Sequence, residues 1–69
     1  MKPQVSGKLQ AYLQDKFGSD NLSVKARPNV TDSVEVYLSG EFIGVIYEDI
    51  DEGETSYQFQ MCIIEEDLD

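Results

Sequence analysis

The sequence predicts an α+β domain, one N-terminal amphipathic helix packed on a mainly antiparallel four-stranded sheet in the order α-β-β-β-β. Three observations lead there. Apolar residues recur at helical spacing only before Gly18, and alternation with a period of two takes over from Leu22. The alternating stretches are separated by short Gly-, Asn- and Asp-containing turns that suit hairpins. At 69 residues the chain reads as one domain over 1–69.

The helix is expected over residues 3–17. Val5, Leu9, Tyr12, Leu13 and Phe17 share one side, with Lys8, Gln10, Gln14, Asp15 and Lys16 on the other. Pro3 suits a first helical turn, and Gly18 suits the left-handed residue that ends a helix. Gly7 costs about 1 kcal/mol relative to alanine in a helix interior. The first strand, 22–27, places Leu22, Val24 and Ala26 on one face and stops at Pro28, which cannot donate to a ladder. "NVTD" supplies a turn. The second strand, 33–39, turns Val34, Val36 and Leu38 to one side, and "SGE" marks a tight hairpin. The third, 42–48, is "FIGVIYE" and is apolar on both faces. The fourth, 55–64, alternates Tyr57, Phe59, Met61 and Ile63 against Ser56, Gln58, Gln60 and Cys62. The acidic tail 65–69 is expected to be loose.

Register sharpens the expectation. A two-residue loop at Ser39–Gly40 or Gly40–Glu41 puts Val34, Val36 and Leu38 on the face of Ile43 and Val45, whereas a three-residue loop would set Val36 beside Gly44. The apolar pattern selects the even loop. The opposite face then carries Tyr37, Phe42, Gly44 and Ile46, with Ile64 from the last strand and Tyr37 lying over Gly44. One helix cannot cover both faces, so Tyr37, Phe42, Ile46 and Ile64 form the expected interaction surface, and a face-to-face homodimer is the expected occupant. Burying Phe42, Ile46 and Ile64 is worth about 1.5–3 kcal/mol each.

A chain this short buries only roughly 60% of its unfolded surface and needs an extra source of stability. The single Cys62 excludes an internal disulfide, and the absence of histidine excludes the usual Cys/His zinc site. Association or an oxygen-ligated cation remains. Nothing resembles a signal peptide or a membrane span, and one free thiol suggests a reducing, cytoplasmic setting; "NVT" at Asn29 to Thr31 is therefore taken as a turn and not as a glycosylation site.

Net charge is −9, and it is segregated: +3 before Pro28 and −12 after it, by side-chain count. That distribution argues against nucleic-acid binding, since Lys25 and Arg27 on one side of a strand do not make a groove. It favours a partner protein with a basic surface, met by the acidic loop Glu48, Asp49, Asp51, Glu52 and Glu54. An alternative is weak calcium binding by Asp49, Asp51, Glu52 and Glu54. An EF-hand alignment on Gly53 fails, because Ile50 takes the third ligand position and Phe59 the twelfth.

No catalytic residues and no cofactor are expected: without histidine there is no Ser-His or Cys-His pair, and no glycine-rich phosphate loop is present. The function expected from the residues alone is a non-catalytic interaction or self-associating module.

"LQAYLQDKFG", Arg27–Pro28 and "DSVEVYLSGEFIGVIYEDIDEGETSYQFQMCIIEEDLD" cover most of the chain, and together they resemble a family of short bacterial proteins, domain of unknown function 3126. The most specific pieces are "EVY", "EFIGV", "DEGE" before "SYQFQM", and the closing "DLD". The resemblance implies a stand-alone cytoplasmic bacterial protein and brings no activity or site residues with it.

Overall fold

A computed structural model describes residues 2–68. Helix α1 (Pro3–Phe17) is followed by β1 (Leu22–Ala26), β2 (Ser33–Leu38), β3 (Glu41–Asp51), β4 (Glu54–Met61) and a 3-10 turn (Glu65–Leu68). The strands form one antiparallel sheet in sequential order, β1-β2-β3-β4. The α-β-β-β-β architecture is as the sequence predicts.

Pro3 occupies the first turn of α1, where its missing N–H costs nothing. Gly18, at φ 60°, closes the helix in the left-handed region, and Ser19 N–H donates to Gln14 O at 3.0 Å. Both expected hairpins are two-residue turns. Ser39–Gly40 and Glu52–Gly53 have positive φ at both positions, the backbone that matches the twist of paired strands.

The second turn changes the extent of the strands. Residues 49–51 and 54 were expected in an acidic loop, yet pairing continues through Asp49↔Ser56, Ile50↔Thr55 and Asp51↔Glu54. A turn that needs only Glu52 and Gly53 lets the ladder run to the tip. At the other end β4 stops at Met61, so Cys62, Ile63 and Ile64 lie outside the sheet. The tail expected to be loose is a short turn over Glu65–Leu68, closed by Asp67, whose carboxylate accepts from Ile64 N–H at 3.1 Å. Asp69 lies outside the described residues.

The largest departure is in the register of β2 on β3. The loop is the even one, pairing Leu38↔Glu41 and Tyr37↔Phe42, but a bulge follows between Val36 and Tyr37. Ile43 is the additional residue and packs against the core. Beyond it the faces exchange, so that Val36 sits opposite Gly44 and Val34 opposite Ile46. Gly44 makes this possible. A Cβ there would run into the Gln60 carbonyl oxygen and come within 2.6 Å of the Phe59 ring. Gly44 therefore opens toward Phe59 of β4, and Tyr37 pairs with Phe42 instead of lying over it. Val45, expected in the core, is opposite Glu35 on the outer face.

The core that results is small. Leu13, Leu22, Val34, Val36 and Ile46 are buried, with Leu9, Val24, Ile43, Tyr57 and Phe59 partly buried around them.

Candidate functional site

The surface expected to be functional was the outer face of the sheet, and only part of it is there. Tyr37 and Phe42 do meet on that face, with ring centroids 5.7 Å apart and planes at 70°. Lys25 Nζ lies 4.8 Å from the centre of the Tyr37 ring on the side of β1, and Tyr37 Oη donates to Glu35 Oε1 at 2.9 Å. That bond and the adjacent carboxylate charge, with some desolvation, raise the phenol pKa above its ordinary value. Tyr37 is thus half-buried and already engaged on three sides.

Ile46 is not on this face. It is 2% exposed and belongs to the core, because the bulge turns it inward. Ile64 is exposed but lies past the end of β4. The proposed quartet reduces to Phe42 with Tyr37, extended along the same face by Val45 and Tyr47 into a shallow hollow that reaches Gln60 and Cys62. Cys62, expected within the fourth strand, lies just past the end of β4 and is exposed.

The acidic loop is the tip of a hairpin. Asp49 and Asp51 alternate onto the outer face of β3, and Glu54 faces Asp51 across the strands. Glu48 points to the other face, where Tyr57 Oη donates to its Oε2 at 3.5 Å. Glu52 is in the turn itself. Among the described residues no group of three acidic, cysteine or histidine side chains converges to hold a metal ion. The alternative calcium cage of Asp49, Asp51, Glu52 and Glu54 is accordingly not assembled.

A second exposed apolar surface lies on the same face as the helix. α1 packs against the β1 side of the sheet and leaves the β3–β4 half partly bare. A groove of about 390 Å³ runs between them, lined by Leu9, Tyr12, Leu13, Ile46, Tyr57 and Phe59. Around it Tyr12, Ile50 (67%) and Met61 (54%) are exposed.

The two edges of the sheet are treated differently. In an antiparallel ladder each strand bonds through alternate residues. Asn21 O accepts from Ser39 N–H, so β1 bonds β2 through its odd-numbered residues and turns the polar groups of Leu22, Val24 and Ala26 outward. The helix meets two of them. Gln10 Oε1 accepts from Val24 N–H at 2.9 Å, and Gln14 Nε2 donates to Leu22 O at 2.9 Å. Spacing of four places both amides on one side of α1. In the sequence these two residues mark only the polar side of the helix. Their signal was available as a pair of long amides at i and i+4, but only the position of β1 gives it meaning.

At the opposite edge the two-residue turn makes Asp51–Glu54 a hydrogen-bonded pair, so Glu54, Ser56, Gln58 and Gln60 bond inward to β3. Thr55, Tyr57, Phe59 and Met61 present their N–H and C=O groups outward. Among the described residues nothing caps them.

The fold defines a class: a helix-capped four-stranded antiparallel meander of the α+β type. The chain belongs to the family described as "Protein of unknown function (DUF3126)", whose model matches residues 6–67. Comparison with curated proteins and with solved structures gave no match. No helix of the described residues is long and apolar enough to cross a membrane.

Proposed function

We propose that this protein is a non-catalytic module that acts by associating with a second copy of itself. The observation that carries it is the distribution of apolar residues. Among the described residues five are buried, while ten large ones, Tyr12, Phe42, Ile50, Met61 and Ile63 among them, are exposed. Total surface supports the same reading. A folded monomer of this mass exposes about 4,400 Å² by the usual scaling, whereas this chain exposes 5352 Å². The excess is comparable to the roughly 800 Å² that each partner contributes to a standard interface.

A cytoplasmic, bacterial setting is part of the proposal, supported by the single free cysteine and the family resemblance. The absence of histidine supports a non-catalytic role. Sedimentation equilibrium over a wide concentration range tests the proposal. A reversible dimer is expected, with Met61→Asp lowering the dimer fraction while leaving the circular dichroism unchanged. A strict monomer at the highest concentrations would overturn it.

A further inference from the structure

The geometry points to the mode of this association: two copies pair antiparallel along β4, joining their sheets into one of eight strands. This inference rests on the self-association proposed above and adds a place and a register.

An uncapped row of strand N–H and C=O groups is a template for another strand. The outward groups of β4 belong to Thr55, Tyr57, Phe59 and Met61, evenly spaced about Gln58. A two-fold axis through Gln58 therefore pairs Thr55 with the second copy's Met61 and Tyr57 with its Phe59, and uses all four. Centres at Tyr57 or Phe59 leave outward groups unpaired. On the helix side this register sets Tyr57 and Phe59 of one copy against Phe59 and Tyr57 of the other, closing the side of the groove left bare by α1. On the outer side Gln58 faces Gln58, and Ser56 faces Gln60.

Charge favours the same occupant. In a chain of net −9, Thr55–Met61 carries no ionised side chain, and the acids stand beyond its ends at Glu54 and at Glu65, Glu66 and Asp67. A second copy brings no charge into the paired stretch. Nor does this strand carry the lysines or prolines that usually protect an exposed edge. The opposite edge is interrupted by Gln10 and Gln14, which bond Val24 N–H and Leu22 C=O. Among the described residues every outward group of β4 is uncapped, and this favours β4 as the edge that accepts a strand.

The register makes a specific test possible. Facing residues that do not share hydrogen bonds have Cα atoms about 4.5 Å apart, within disulfide reach. In the full chain with Cys62→Ser, the added substitution Gln58→Cys is expected to give a disulfide-linked dimer on mild oxidation. Ser56→Cys in the same background is expected to stay a free thiol, because its own counterpart sits roughly 13 Å away, four residues along the strand. Both positions are exposed, so folding is not at stake.

Hydrogen exchange on the unaltered chain supplies a second readout. In a sample nine-tenths dimeric, the amides of Thr55, Tyr57, Phe59 and Met61 slow about tenfold relative to the monomer, since exchange proceeds from the monomer fraction. Those of Ser56, Gln58 and Gln60 are protected at every concentration. Because two acidic chains repel, added salt is expected to tighten the dimer.

A dimer that forms without cross-linking at position 58, or that cross-links equally at position 56, overturns the β4 register and leaves self-association standing. A dimer that weakens with salt overturns it too, in favour of the basic N-terminal third of one copy docking on the acidic remainder of another. A strict monomer removes both the register and the broader proposal.

Discussion

At the scale of single residues, Gly44 decides which side chains this protein keeps inside. It is the one residue of β3 with no Cβ to meet Phe59 and the Gln60 carbonyl, and the bulge beside it turns Ile46 into the core. Gly44→Ala is expected to lower stability by about 1–3 kcal/mol, the usual cost of overpacking, seen as a lower urea midpoint with an unchanged slope. A glycine inside a strand is a recognised sign of a bulge. The apolar pattern of "FIGVIY" drew attention to two-sidedness instead, and so Ile46 was expected on the surface. Its true place depends on one inserted residue, which alternation does not reveal because Ile43, Val45 and Ile46 are all apolar.

Tyr37 supplies a second residue-scale prediction. Its hydrogen bond to Glu35, then desolvation and the carboxylate charge, hold the phenol above its ordinary value. With a raised folded-state value, the associated stability is complete below about pH 10, the unfolded value, and is lost as pH rises through the folded one. In a phenolate absorbance titration Glu35→Gln is expected to lower the midpoint of Tyr37, and an unchanged midpoint would contradict the assignment.

Among the elements, the helix and all four strands were legible because each is a run of consistent period bounded by a turn residue. Pro3 and Gly18 set the ends of α1 as expected, and Pro28 ends β1 within one residue of its expected limit. The ends of β3 and β4 were not legible. The acids at 48–54 read as a loop by composition, whereas pairing follows from the Glu52–Gly53 turn, which fixes the register of both arms down to Asp51↔Glu54. The placement of α1 over one half of the sheet was equally hidden. It follows from Gln10 and Gln14 bonding the backbone of β1, a contact between residues 14 and 8 positions apart. Gln10→Ala and Gln14→Ala are each expected to cost about 1 kcal/mol. Only the first should accelerate hydrogen exchange at the Val24 amide, because only Gln10 accepts from it; equal acceleration by both would mean that the helix as a whole had shifted.

The whole molecule is longer than a compact chain of its size. Its radius of gyration is 12.7 Å against about 11 Å for a typical 69-residue domain, and its extents are 42 × 25 × 23 Å. The cause is the β3–β4 hairpin, which projects with its acidic tip and keeps one side of β4 bare. A low ratio of core to surface is ordinary for so short a chain, but here the deficit is concentrated along one strand and the groove beside it. The exposed apolar surface was partly legible: the outer face keeps Phe42 exposed as expected, while the exposed Tyr12, Ile50 and Met61 on the helix face were not foreseen. Small-angle scattering is expected to show the overall dimensions growing with protein concentration, mainly along the direction across the strands.

The two helix glutamines also determine how far such growth can go. A sheet with both flanks free would add neighbours without limit and end as a fibre. With Val24 N–H and Leu22 C=O already bonded from within the same chain, the second flank is an interrupted template, and addition is expected to halt after a single event. Replacing Gln10 and Gln14 together would remove that stop, and the double variant is expected to sediment as open-ended polymers where the parent is expected to give pairs.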